Sequence, residues 1–186
     1  MALRSMLLAG VFAALIAIGS QVYVPIGPVP HTLQVFFVML TGVVLGGRWG
    51  FTSVAVWILL GVFGLPVFTQ GKAGIAVLAG PTGGFLIGFL ASAFIVGWLT
   101  ERYPATFART AAFMVLGMVV VYGLGFAGFM ASFAYFLHKP MTVNTAMALA
   151  VLPFLPFDIL KALAAAYIGV KVRRGLSAAG YLQLKQ

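Results

Sequence analysis

PFLPFDILKALAA, residues 153–165, sets one carboxylate and one ammonium, Asp158 and Lys161, inside an otherwise oily run. The run extends from roughly 145 to 170, and about 20 apolar residues suffice to cross the hydrocarbon core of a bilayer. An ionised side chain at mid-membrane costs roughly 2.5–3.5 kcal/mol even on the lenient insertion scales. The spacing of three places both groups on one helix face. Pro153 and Pro156 come just before them, and each removes a backbone donor. The helix is therefore expected to kink or unwind ahead of Asp158. Such irregular backbone is tolerated at depth where it is buried in protein or lines a cavity. Two readings stand side by side. One is an intrahelical salt bridge that neutralises itself. The other is a ligand site, with the carboxylate accepting from a donor-rich group and the ammonium meeting an acceptor or an anion. A proton relay is a third option, but a relay usually needs more than one titratable step, and His31 and His138 both fall in loops.

Composition sets the surroundings of that pair. The chain has 186 residues, of which 63% are apolar and 7% charged, and only two are acidic. A soluble domain is about a quarter charged, so this chain cannot solvate a globular surface. It reads as an all-α integral membrane protein embedded in a lipid bilayer, one transmembrane domain over residues 1–186. The net charge of +9 is not a nucleic-acid footprint, because the basic residues punctuate oily segments instead of clustering on a polar face. The absence of cysteine excludes a disulfide framework and thiol chemistry. The first oily run leads into further spans with no cleavage site and polar mature region, so it reads as a retained span.

Six transmembrane helices are expected, at roughly 4–23, 32–47, 50–64, 83–99, 110–136 and 145–170. PIGPVPHT (25–32) breaks the chain after the first, and GGRWG (46–50) is a tight turn between two short runs. With six spans the termini share a side. On it fall Arg4, Arg48, Arg102, Arg109, Lys171, Arg173, Arg174 and Lys185, against Lys72 and Lys139 on the other. That bias places both N and C termini in the cytoplasm.

The connection between the third and fourth spans, LPVFTQGKAGIAVLAGPT (65–82), is long and nearly uncharged. It reads as a lid folded over the outer mouth, with a structural plug as the alternative. GPTGGF (80–85) opens the fourth span, where Thr82 and Gly83 suit a helix cap with backbone donors facing outward. No ATP-binding loop exists: Gly71-Lys72 is followed by Ala73, and Pro66 stands where the first glycine belongs. Thr32 suits the cap of the second span. Gln34 is an amide just inside it, fitted to bond a neighbouring helix or a polar ligand. Ala9, Ala13 and Ala17 form a smooth strip on the first span, read either as ordinary packing or as a docking face for a separate membrane subunit. No paired carboxylates, no serine–histidine pair and no metal cluster can be assembled, so no catalytic residues, cofactor or metal are expected, and no enzyme.

PVPHTLQVF (28–36), LLGVFGLPVF (59–68), GPTGGF and the Asp158–Lys161 pair together resemble the BioY family, the substrate-binding (S) subunits of energy-coupling factor (ECF) importers for biotin. The resemblance covers roughly residues 5 to 175. Phe157 and Phe85 stand where the family often has glycine and tyrosine. The resemblance implies a biotin importer subunit of the prokaryotic cytoplasmic membrane. Its partners would be a transmembrane coupling subunit, meeting the Ala9–Ala13–Ala17 strip, and ATP-binding subunits. It implies that Asp158 accepts from the ureido N–H groups of biotin. Lys161 would hold the acid ionised or meet a polar ligand group. Gln34, Thr82, Gly83, Phe68 and Phe85 would complete the site. A stand-alone secondary carrier and a purely structural membrane protein remain alternatives.

Overall fold

An apolar chain in lipid must satisfy its backbone internally, which leaves helices as the way to build from these runs. The computed structural model describes residues 2–25 and 29–180. The middle of PIGPVPHT and Lys185 lie outside the described residues. Helix α1 spans Ala2–Gln21. The proline-rich break after it is not wholly irregular: β1 (Tyr23–Val24) pairs antiparallel with β2 (His31–Thr32), matching Tyr23 with Thr32 and Val24 with His31. This two-residue ribbon corrects the all-helical expectation in one detail.

Helix α2 spans Gln34–Val62 but is broken at Gly46, which adopts φ 82° and ψ 178°. Only glycine takes that conformation without strain. In a straight helix, residues eight apart lie about 12 Å apart. Here a Cβ on Gly50 would lie 3.1 Å from the Cα of Gly42, so the chain folds back on itself at GGRWG. The connection that follows contains a turn of 3-10 helix (Thr69–Gly71) and the short α3 (Ala76–Ala79). Helix α4 (Gly83–Arg102) packs between α2 and α5 (Phe107–Ala131). Glycines permit that close approach: a Cβ on Gly42 would lie 2.8 Å from the Ala93 carbonyl oxygen, and one on Gly88 2.9 Å from the Val121 Cα. A π turn, Ser132–Phe136, ends α5.

Helices α6 (Val143–Ala150) and α7 (Leu155–Ala178) are bent by 44° across the break that carries Pro153. Pro156 sits in the first turn of α7, where its missing N–H is no loss. The kink therefore falls just ahead of Asp158. Among the described residues, four helices are long and apolar enough to cross a membrane, five if the bent pair counts as one. The exterior is apolar, with Leu7, Val11, Leu59, Phe63, Val119 and Leu160 exposed, while Ser53, Ser92, Thr41 and Thr110 are buried. That inversion suits a lipid solvent.

The two ends of the bundle differ. At one end the ribbon, the connection 63–82 and the α6–α7 break meet, through Gln21 to the Phe68 carbonyl (2.9 Å), Thr69 to Gln34 (3.4 Å) and Lys161 to the Thr32 carbonyl (2.7 Å). At the other end lie the Gly46 turn, Glu101 against the Gly47 N–H (3.3 Å) and Arg174 on the Ala105 carbonyl (3.2 Å). Arg173, expected in a loop, is buried there and donates to the Val43 carbonyl at 2.7 Å.

Candidate ligand-binding site

The first turn of α7 carries Asp158 inward, buried to 4% exposure. Lys161, three residues on, donates to its Oδ1 at 2.8 Å. Tyr122 of α5 donates its hydroxyl to Oδ2 at 2.6 Å. The intrahelical salt bridge therefore forms, yet it does not exhaust the acid. A carboxylate offers about four lone-pair sites, and two are used. Its open side faces a cavity lined also by Gln34, Phe68, Thr82, Phe85 and Tyr122, with Phe89, Phe154 and Lys72 nearby on the wall.

Gln34 is held from both sides. The Thr32 hydroxyl donates to its Oε1 at 2.9 Å, and Thr69 adds a longer bond at 3.4 Å. Its backbone N–H donates to Thr32 Oγ1 at 3.2 Å, a turn contact made one residue ahead of the helix cap, which is Leu33 and not the expected Thr32. With the amide oxygen thus engaged, the NH2 group has no partner among the described residues and is available to an acceptor in the cavity. Phe68 is 2% exposed and packs edge-on against Trp57, with ring centroids 5.5 Å apart. Phe85 meets Tyr122 edge-on at 6.4 Å. The cavity is thus an aromatic slot with an acid in its wall.

Not every expected residue lines it. Lys161 lies behind Asp158 and borders a second hollow, with Tyr23, His31 and Phe157, on the far side of Thr32. It anchors the acid and the ribbon. Thr82 stands at the start of α4 and lines the cavity, but its side chain makes no cap hydrogen bond. Gly83 is buried outside the lining, where a Cβ would strike the Leu78 carbonyl. Ala9 and Ala13 are 2% and 3% exposed, with Ser53 donating to the Ala9 carbonyl at 2.8 Å. Ala9 and Ala13 thus serve packing against the second half of α2, one of the two readings of the strip, while Ala17 is part-buried.

Three residues escaped the sequence reading. Tyr122 is the one hydroxyl between Thr110 and the end of α5 at Ala131, and that isolation was the available signal. Lys72 was counted only as a loop charge. His31, read only as a loop residue, is buried in the ribbon; its ring stacks on Phe154 at 3.9 Å and 11°. Burial, aided by the Lys161 ammonium and opposed by Asp158, pulls the His31 pKa below its usual 6.5.

With this geometry in view, comparison with known proteins decides the family. The BioY family model matches residues 1–178. The chain belongs to the BioY family. Among relatives, the biotin transporter BioY of Thermotoga maritima is 42% identical over 172 residues, covering 92% of this chain and 97% of that one. BioY of Rhizobium etli is 37% identical over 186 residues, covering 94% and 96%. A crystal structure of the S-component for biotin from an ECF-type ABC transporter is similar at a TM-score of 0.81 and 27% identity, covering 92% of both chains. A BioY chain is a transport protein and not an enzyme.

Proposed function

We propose that this chain is the biotin-binding S-component of an ECF-type importer and captures biotin at the end of the bundle where the cavity lies. The observation that carries the reading is Asp158, an acid with unused acceptor capacity in an aromatic cavity, on a chain of the BioY family. The ureido N–H groups of biotin donate to Asp158. Hydrogen bonds to a charged acceptor are about twice as strong as neutral ones. The Gln34 NH2 group suits the ureido carbonyl, and Phe68 and Phe85 flank the thioether ring. Tyr122 and Lys161 hold the carboxylate in place.

The fold-back at Gly46 makes two spans of α2, and the bent α6–α7 pair makes one, which gives six crossings. Six crossings and the basic end of the bundle put both termini in the cytoplasm of a prokaryotic cell. The connection 65–82 then lies outside as a lid. Transport draws on a transmembrane coupling subunit and ATP-binding subunits, since this chain has no ATP-binding loop. With Ala9 and Ala13 buried, the small residues that α1 leaves exposed for the coupling subunit are Gly10 and Ala14.

The test is calorimetric titration of the purified protein with biotin, beside mass spectrometry of whatever co-purifies. Asp158→Asn keeps the shape but loses the charge and half of the acceptor capacity. It is expected to weaken biotin binding by about 1.5–3 kcal/mol, roughly ten- to 150-fold. Unchanged affinity in a folded variant rejects the role of Asp158. Failure of the parent protein to bind biotin rejects the function.

A further inference from the structure

Building on the biotin reading, we infer that Lys72 is the anion-binding residue of the cavity and takes the carboxylate end of the ligand. Asp158 and Lys72 are the two charged residues in the cavity wall. Asp158 is already held by Lys161 and Tyr122. Among the described residues the Lys72 ammonium has no hydrogen bond or ion pair. The chain has only two acids. The other is Glu101, which sits at the far end of the bundle against Gly47. Asp158 is engaged and Glu101 is remote, so the cavity wall carries, in Lys72, an exposed cation with no ion-pair partner among the described residues. A ligand with N–H donors at one end and an anion at the other matches both walls.

The backbone supports this placement. Gln70, immediately before Gly71 and Lys72, is held at φ 65°, and Gly71 at φ 67°. A non-glycine residue in that region is strained and persists only where its surroundings hold it. Here Gln21 bonds the Gly71 N–H at 3.2 Å and the Phe68 carbonyl, while Ser20 and Trp57 bond the Val67 carbonyl at 2.6 and 3.0 Å. The turn that presents Lys72 is thus fastened to α1 and α2. A ligand anion on Lys72 joins this connection to Asp158 of α7 through the bound molecule.

Biotin and its neutral carboxamide separate this inference from the reading beneath it. The parent protein is expected to bind biotin about tenfold or more tightly than the carboxamide. Lys72→Gln is expected to lose that factor for biotin, bind the carboxamide unchanged, and so show no preference. Lys72→Arg is expected to retain the preference. If folded Lys72→Gln keeps the parent's ratio of affinities, Lys72 does not hold the carboxylate. If the parent shows no preference, the inference falls while the biotin reading stands. If the parent binds neither ligand, both fall. Should Lys72→Gln fail to fold, Lys72→Met is read against Lys72→Arg in the same way.

Discussion

Asp158 receives a lysine three residues away and a tyrosine thirty-six residues away, 2.8 and 2.6 Å from its two oxygens. The lysine was legible because helical spacing alone brings residues three apart together. The tyrosine was not, because nothing local joins residue 122 to residue 158. His31 shows the same limit: the sequence placed it in a loop, and only the fold shows it buried on Phe154. Its lowered pKa has a consequence for stability. Near pH 6.5 the unfolded chain binds the His31 proton more readily than the folded one, so stability rises with pH there. The neutral ring's full contribution is present above the unfolded value of 6.5 and is lost as pH falls below it. Thermal melts in detergent are expected to show a falling melting temperature from about pH 7.5 to about pH 5.5. His31→Phe, which keeps a ring to stack, is expected to flatten that slope. An unaltered slope removes His31 as its source.

The elements are governed by where the chain can bend and how closely helices can meet. GGRWG was read as a turn, and Gly46 provides it with a left-handed φ. Pro153 and Pro156 likewise announced the break ahead of α7. The crossing of α2 and α4 had no such signal, because a glycine in an oily helix looks alike whether it faces lipid or a neighbour. In the structure a Cβ on Gly97 would run into the backbone of Gly46 and Gly47, while Gly10 has nothing within 4 Å. Gly97→Ala is therefore expected to destabilise by about 1–3 kcal/mol through overpacking. Gly10→Ala is expected to leave the melting temperature of the isolated protein unchanged or slightly raised. Equal melts for the two variants contradict the close crossing.

For the whole molecule, the separation of a basic end from a cavity end is the main feature. The chain has no cysteine, so single cysteines report sidedness directly. In intact cells, a membrane-impermeant thiol reagent is expected to label Lys139→Cys, which follows α5 at the cavity end. Arg48→Cys and Arg109→Cys are expected to label only after permeabilisation. Labelling of Arg48→Cys from the same side as Lys139→Cys rejects the reading of α2 as two crossings. Arg173 tempers the charge count itself: it bonds the Val43 carbonyl in the interior and serves the packing of α7 on α2 as well as the bias of charge.

The residues alone determined that the chain lives in a bilayer, where it breaks, and that Asp158 is exceptional. Scarcity of charge, glycine and proline chemistry, and the penalty for an ion in hydrocarbon act locally and need no fold. The tertiary structure decided which faces meet. It turned the alanine strip inward, set Lys161 behind the acid, and drew Gln34, Tyr122 and Lys72 to one cavity. In a soluble helix an apolar stripe marks the buried face. In this chain lipid and core are both apolar, so the stripe carries no such information and only packing tells inside from outside.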